Sequence, residues 1–595
     1  MRGTAELRGI LHRLLPYTPF TRWMVELRDG AVLRADVIAG ITVAMILIPQ
    51  AMAYAQLAGL PAFYGLYAAF LPPAVAALFG SSRQLATGPV AMASLLSVGI
   101  LQTFVAPGTG DFITYSILLA LMVGMLRICL GALRLGALVN LLSRPVVIGF
   151  TNAAVLVIAT SQMHHLFGVS AVRGDYHFQT VWRTIEVIAG NARWESLGMA
   201  SLATAILLGL RNRASGRLPY VLIAVVATTL TSWLVGYGGK VVGEIPRGLP
   251  SFRAPVLDLR IVPELAMGAI TITLVGLMEA MAIAKTIATK TKQQIDINQE
   301  LIGQGMANLV GSFFQSYAVS GSFSRSAVNY ASGARTGFSS VVTSLVVMIT
   351  LLWFTPLLYH LPQATLGAII VISVISLIRI KPIVTAWRVQ RQDGIIAVVT
   401  FLGTLVLAPA LHQGILIGVA LSLLSYLLRT MRPRVVFLAR HPDGSLHGAE
   451  IHGLEPDQKI AIIRFDGRLY FGDSSYFEDK VLEIVAHLPG LQYLIVDAGG
   501  INQVDATGEQ TLRNLVGRLR GVGIDVFVTG AKKQFREVLE RTGCMDYIGR
   551  DHFFGWNQSA LEHVWSKLGA EYRARCPLNS SHPSEDRPFA DGLYI

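Results

Sequence analysis

The sequence predicts an all-α polytopic membrane domain followed by a smaller α/β domain. Two observations carry the prediction. Hydrophobic residues make up 53% of the 595 and charged residues only 14%, where a soluble globular chain carries about 25% charged; the mean hydropathy is +0.53. The composition also breaks once, near residue 432. Before the break, apolar runs of roughly 15–25 residues repeat, the length scale of membrane-crossing helices. After it, short alternating strands and amphipathic helices appear at ordinary charge density. This gives an N-terminal segment over 1–35, a membrane domain over 36–431, a soluble domain over 434–568 and a polar tail over 569–595, with disorder expected from Cys576 on.

The apolar runs give about fourteen spans, at 36–58, 63–80, 86–106, 112–132, 137–167, 196–212, 219–237, 262–288, 298–316, 318–333, 336–360, 364–379, 394–411 and 413–430. Loop charge orients them. With the N-terminus inside, the cytoplasmic loops hold Arg83; Arg134 and Arg144; Arg211, Arg213 and Arg217; Lys290 and Lys292; Arg335; and Arg379, Lys381, Arg388 and Arg391. The opposite short loops, such as GLPAFYG at 59–65, are nearly free of Lys and Arg, and the longer outside segments 168–195 and 238–261 mix both signs. This distribution predicts both termini in the cytoplasm. It also accounts for the net charge of +12, so no nucleic-acid partner is expected. The first apolar run begins near Asp36, too far along for a cleavable leader. Cys129, Cys544 and Cys576 show no ligand spacing, so neither a disulfide framework nor a metal site is expected, and nothing calls for a cofactor.

Two spans are interrupted. The third begins RQLATGPVAMASLL (83–96) and the tenth AVSGSFSRSAVN (318–329). Each has a small or β-prone lead-in, then Gly-Pro or Gly-Ser, then a short helical run. They stand at corresponding positions if the first and second sets of roughly seven spans are inverted repeats, and such paired interruptions point to a transport site. Irregular backbone at membrane depth survives only where protein or a wet cavity satisfies it. Pro89 suits a first helical turn, following Gly88. Two half-helices meeting at mid-membrane aim free N–H groups and positive dipole ends at one gap, which is an anion site. Ser320, Ser322 and Ser324 can cap or donate there, and Arg325 adds a full charge. A buried intramembrane charge is a functional candidate by default; the competing reading is a structural ion pair.

Span eight holds one acid well inside it, Glu279. An ionised carboxylate at the centre of a membrane helix costs about 3 kcal/mol on insertion scales. It must be paired, protonated or facing water: a proton- or cation-linked group, or a permanent partner of Arg325. Span one is expected to break at Pro49. Gln50 can donate to an anion, and Tyr54, one turn on, can wall the pocket.

The runs IPQAMAYAQLAGLPAFYGLYAAF (48–70), FGSSRQLATGPVAMASLL (79–96), VGEIPRGLP (242–250) and NQELIGQGMANLVGSFFQSYAVSGSFSRSAVNYASGART (298–336) resemble the SulP anion permeases, the bacterial and plant relatives of solute carrier family 26. The resemblance covers nearly the whole chain. It implies a uracil-permease-type fold of seven-plus-seven inverted repeats, a core domain moving against a gate domain, a homodimer and a cytoplasmic STAS domain. It implies a secondary transporter, not an enzyme, in the bacterial inner membrane among lipid. The family's anion site falls on Gln50, Tyr54, Val90, Ser324 and Arg325. Val90 stands where some animal relatives have phenylalanine. Proton-coupled plant and bacterial members carry an acid at the Glu279 position, so the resemblance implies proton symport; a sodium-coupled bicarbonate subgroup uses an Asp in this region, which keeps sodium open as the coupling ion. Sulfate is the expected substrate; bicarbonate and C4-dicarboxylates such as fumarate or succinate suit the same pocket. An anion channel or an anion-sensing signalling protein is the alternative of another class.

In the soluble domain, KIAIIRFDG (459–467), LQYLIVDAG (491–499) and IDVFVTG (524–530) read as strands alternating with helices around a mainly parallel core. IVDAGGINQVDATGEQTLRNLV (495–516) reads as strand, loop and helix with Asp505 as N-cap. This resembles the STAS fold, whose matching loop carries a phosphorylatable Ser or Thr in anti-sigma antagonists; Thr507 occupies that place as a regulatory candidate. GDSSYFEDK (472–480) reads as a capped helix start rather than a catalytic serine site.

Overall fold

The computed structural model describes residues 19–172, 174, 176–213 and 219–579. The start of the N-terminal segment, Arg217 and the tail from 580 lie outside the described residues. The chain divides into two compact units, one up to Leu423 and one from Leu424 on.

Among its described residues the first unit is helical apart from one two-residue strand pair and the isolated bridge between Val241 and Pro362. Its main elements are α1 (Gly30–Leu57), α2 (Phe63–Phe70), α3 (Pro72–Phe79), β1 (Thr87–Gly88), α4 (Ala91–Leu101), α5 (Gly110–Ala132), α6 (Arg144–Ser161), α7 (His177–Asn191), α8 (Trp194–Arg213), α9 (Tyr220–Val235), α10 (Val262–Thr291), α11 (Ile297–Phe313), β2 (Ser320–Gly321), α12 (Phe323–Ala331), α13 (Phe338–Ile349), α14 (Gln363–Ile375), α15 (Lys381–Val389), α16 (Arg391–Val406) and α17 (Leu411–Thr430). Local chemistry sets several starts. Asp29 caps α1 by accepting from Ala31 N at 2.9 Å, and Asp296 caps α11 by accepting from Asn298 N at 2.8 Å and Gln299 N at 3.3 Å.

Among the described residues, six helices are long and apolar enough to cross a membrane unaided: those beginning at Gly30, Gly110, Arg144, Val262, Phe338 and Leu411. That is fewer than the apolar runs predict. Pro72 and Pro73 restart the chain as a second short helix within one expected span. The run after Phe338 passes from α-helix through a π segment to a 3-10 turn. Further apolar helices, such as Ala91–Leu101 and Gln363–Ile375, are shorter.

Two expectations need correction. α1 does not break at Pro49; the helix runs through it to Leu57. A single missing N–H removes one intrahelical bond, and α1 is braced by α2, α13 and α14 along its length. The outside segment 168–195 and the loop before the thirteenth span are not plain loops. They hold α7, HFQTVWRTIEVIAGN, and α15, KPIVTAWRV. Both are amphipathic and carry charge, so hydropathy alone passes them over.

Close helix packing in this unit depends on small residues. α5 and α11 meet at Gly124 and Gly305. A Cβ on Gly124 would lie 2.6 Å from Leu309 N, and one on Gly305 would lie 2.8 Å from Ile128 N.

The second unit is a six-stranded sheet, β3 (Arg434–Arg440), β4 (Leu446–Gly448), β5 (Ile460–Asp466), β6 (Tyr493–Asp497), β7 (Asp525–Thr529) and β8 (Phe553–Phe554), in the order β4-β3-β5-β6-β7-β8. β5 through β8 run parallel, and β3 is antiparallel to both neighbours. On one face lie α18 (Ser474–His487), α19 (Ala506–Gly521) and α20 (Lys533–Arg541), over Phe465, Phe477, Leu515 and Phe535. On the other, α21 (Asn557–Leu568) covers Ile462, Ile495 and Phe527 with Leu561 and Trp565. The expected disorder from Cys576 is corrected for its first residues. α22 (Ala570–Arg575) leads into Cys576 and Leu578, which are buried in that second core. Tyr572 Oη donates to Asp457 Oδ1 at 2.6 Å, and Arg440 Nε donates to the Leu578 carbonyl at 3.0 Å.

Candidate functional site

The two interrupted spans meet. β1 and β2 pair antiparallel, with Thr87 opposite Gly321 and Gly88 opposite Ser320. α4 and α12 start immediately after them. The irregular backbone is satisfied by side chains, as membrane depth requires. Asn308 on α11 closes a two-way bond with the Val319 peptide: its amide accepts from Val319 N at 2.9 Å and donates to Val319 O at 3.0 Å. Gln304, one turn earlier, donates to Thr87 Oγ1 at 2.6 Å. Ser326 Oγ accepts from Ala86 N at 2.8 Å, and Asn329 donates to Gln84 O at 3.1 Å. Glu300 anchors the approach to β1 by accepting from Ser81 N and Ser82 N at 2.9 and 3.0 Å.

The residues named from the sequence divide into three groups. Val90 is the N-cap of α4 and Ser322 the N-cap of α12. Gln50, Tyr54, Val90, Glu279, Ser322 and Ser324 line one cavity of about 340 Å³, closed opposite by residues such as Tyr220 and Ser373. That is roughly ten water volumes, room for a small anion with part of its hydration shell. The side-chain oxygen of Gln50 is buried without a protein partner.

Arg325 sits in the first turn of α12 and is 1% exposed. Its Nη2 donates to the Pro89 carbonyl at 2.7 Å, across to the other half-helix. Its Nε and Nη1 are buried with no protein acceptor. Its side chain is not among those lining the cavity, although its chain neighbour Ser324 is. Among the described residues no ion pair joins it to Glu279, although the two are within electrostatic reach.

Two placements differ from expectation. Ser320 does not cap a helix. It is a strand residue whose Oγ donates to Gly276 O at 3.0 Å, away from the cavity. Pro89 is not in the first turn of α4. The helix begins at Ala91, so Pro89 precedes the cap and contributes its carbonyl to Arg325. Gly88 holds φ +152, a region that disfavours side chains.

Sequence reasoning missed a second buried arginine. Arg127 on α5 is 0% exposed; its Nη1 donates to Val319 O at 3.0 Å and its Nη2 to Ile272 O at 3.3 Å. It ties Val319, the residue before β2, to the helix that carries Glu279. The available signal was a lone basic residue inside MVGMLRICLGA.

In the second unit, Asp505 is the N-cap of α19 and accepts from Gly508 N at 2.8 Å, as its sequence context predicts. Thr507 is exposed in that helix's first turn. Asp473 stands at the N-cap position of α18, but its carboxylate accepts from Tyr470 N at 2.7 Å, upstream, rather than from the helix.

Fold and cavity together define a polytopic membrane protein built around two facing half-helices, with a C-terminal α/β domain. The profile of the sulfate permease family matches residues 33–400 and that of the STAS domain residues 454–560. The chain belongs to the sulfate permease family, which is a family of transporters rather than enzymes. It is 34% identical to the chloroplastic sulfate transporter 4.1 of Arabidopsis thaliana, over 90% of this chain and 81% of that one. It is 30% identical to high affinity sulfate transporter 2 of Stylosanthes hamata, over 88% and 82%. It superposes on the murine solute carrier 26 family member A9 anion transporter, solved inward-facing, with a TM-score of 0.85 at 25% identity, covering 94% of this chain and 95% of that one. The transmembrane domain of a cyanobacterium bicarbonate transporter, BicA, shares the fold with a TM-score of 0.57 at 23% identity, over 66% and 97%.

Proposed function

We propose that this protein is a secondary active transporter of sulfate that works by alternating access and takes a proton as co-substrate. One observation carries the anion site. A fully buried guanidinium holds two N–H groups with no protein acceptor, at the meeting point of two helix N-termini. Leaving such a charge uncompensated costs several kcal/mol, and an anion in the adjoining cavity offsets that penalty. Ser322 and Ser324 supply hydroxyls, Gln50 an amide and Tyr54 a phenol on the same cavity. That the plant relatives are sulfate transporters favours sulfate over other small anions.

Glu279 is the acid on that cavity. Ionised, it repels an incoming anion; protonated, it does not. Binding of anion and proton therefore favour one another, which is the thermodynamic requirement for symport. The reading places the chain in a bacterial inner membrane as a homodimer, with both termini cytoplasmic and about fourteen crossings in a seven-plus-seven repeat related through the β1–α4 and β2–α12 interruptions.

The test is uptake into proteoliposomes of labelled sulfate, bicarbonate and fumarate, with and without an inward proton gradient. Saturable sulfate uptake that grows with the gradient is the expected result. Saturable uptake of another anion alone overturns the substrate, and gradient-independent uptake overturns the coupling.

A further inference from the structure

The β3–β4 hairpin of the second unit carries a constellation that sulfate movement does not use. The segment reads HPDGSLHGAEIH (441–452), with histidines at 441, 447 and 452 and an aspartate at 443. We infer that His441, Asp443, His447 and His452 form a binding site for a divalent transition-metal ion of the zinc type.

The geometry comes first. One ligand atom from each of His441, Asp443 and His447 lies within 4.8 Å of the others. Asp443 Oδ2 is 3.2 Å from His441 Nδ1 and 3.3 Å from His447 Nε2. In a tetrahedral zinc site with bonds of about 2.0–2.1 Å, neighbouring ligand atoms stand about 3.3 Å apart. Two of the three edges already have that length. The His452 ring lies 4.9 Å from that of His447 and 5.5 Å from that of His441, centroid to centroid, and supplies a fourth ligand by side-chain rotation.

The support of the ligands comes second. Metal-binding carboxylates are held by outer hydrogen bonds on the oxygen that does not ligate. Asp443 Oδ1 accepts from Ser445 N at 2.8 Å and from Ser445 Oγ at 2.6 Å, which leaves Oδ2 to the histidines. The loop itself is fixed. His441 N donates to Ser445 O at 2.9 Å, Gly444 N donates to His441 O at 2.9 Å, and Gly444 takes φ +86, with Pro442 limiting the turn.

The donor set then selects the ion. Three imidazoles and one carboxylate suit zinc, cobalt, nickel or copper rather than magnesium or calcium, which take mostly oxygen ligands. Bound metal would fasten the hairpin to the short helix Ala449–His452. The alternative is a chance gathering of half-exposed histidines around a capped aspartate, with no affinity for metal.

The experiment uses the full-length protein in detergent, carrying no polyhistidine tag and stripped with chelator, titrated with Co²⁺ and then Zn²⁺. The expected result is a tetrahedral Co²⁺ absorption band at one equivalent, bleached by Zn²⁺. It should vanish in a His441→Ala/His447→Ala/His452→Ala variant. Asp443→Asn, which keeps the loop's shape, should weaken Co²⁺ binding about 100-fold, and Ser445→Ala about tenfold. Thermal unfolding without metal checks that each variant is folded, and Zn²⁺ should raise the midpoint of the wild type but not of the triple variant. An unchanged band in the triple variant, or no band in the wild type, overturns the assignment.

Discussion

Two arginines are buried completely in the membrane unit, Arg127 at 0% and Arg325 at 1% exposed, and neither has an acidic ion-pair partner among the described residues. Their guanidinium groups are used differently. Arg127 spends both terminal nitrogens on carbonyls, Val319 O and Ile272 O, and leaves only Nε without a partner. Arg325 spends one, on Pro89 O, and leaves both Nε and Nη1 without a protein acceptor. Burial alone therefore does not say how a charge inside this unit is used. The number of donors left unmet separates the two.

The largest expected effect comes from breaking that difference at Arg325. Arg325→Ala should reduce saturable uptake at least about 100-fold, the scale of a lost charge-assisted anion contact. It should leave a folded protein, because only one carbonyl loses a donor. Wild-type uptake in this variant would remove Arg325 from the site. Arg127→Ala should do the opposite. Two charge-assisted hydrogen bonds to buried carbonyls disappear, a destabilisation of about 2–4 kcal/mol. A detergent thermal-unfolding series should show a clear drop, while the surviving folded fraction keeps its KM. If Arg127→Ala changes KM and not stability, the roles are reversed.

Glu279 sharpens the comparison by its distance from both patterns. It faces the cavity and has no ion pair with Arg325. Glu279→Gln removes its titration without removing its volume. Uptake at neutral pH should persist as exchange of anion for anion, and the stimulation by an inward proton gradient should be lost. A gradient response equal to that of the wild type would return Glu279 to a packing role.

These contrasts show what the sequence exposes and what it hides. The Gly-Pro and Gly-Ser interruptions announce the half-helices, since such backbone inside an apolar run has few other uses; β1, α4, β2 and α12 fall where those motifs stand. Gln50, Tyr54, Val90, Glu279, Ser322 and Ser324 share one cavity. Arg127 was passed over because its two partners are carbonyls 145 and 192 residues away, and backbone acceptors leave no mark in a sequence. Ser320 was misplaced for a related reason: its hydroxyl is claimed by Gly276 O, again a backbone group. Pro49 looked like a break because local rules take no account of helices packed against α1 on either side. The histidines at 441, 447 and 452 have no metal-ligand spacing in the sequence, because the β3–β4 hairpin must form before they become neighbours.

The smallest effect, and the finest test, is one added methyl group beside each arginine. A Cβ on Gly88 would meet Arg325 Nη2 at 3.5 Å and Leu47 Cδ1 at 3.6 Å, ordinary contact distances. The cost there is backbone strain at φ +152, about 1–3 kcal/mol, and the strand can relax part of it because Arg325 is held by a single bond. A Cβ on Gly276 would meet Arg127 Nη2 at 2.5 Å and Ser320 Oγ at 2.8 Å. Neither atom is free to retreat: one is bonded to Ile272 O and the other to Gly276 O itself. Overpacking of that kind typically costs about 1–3 kcal/mol. The two energies are similar, so stability alone does not separate the variants; the pattern across two measurements does. Gly88→Ala should shift the Arg325 guanidinium and raise the KM for the anion by less than about tenfold, with a small loss of stability. Gly276→Ala should lower the unfolding midpoint and leave the KM of the folded fraction unchanged. Equal KM shifts in both would mean that the two arginines belong to one coupled network, and that the division between a charge that holds the fold and a charge that holds the anion does not apply.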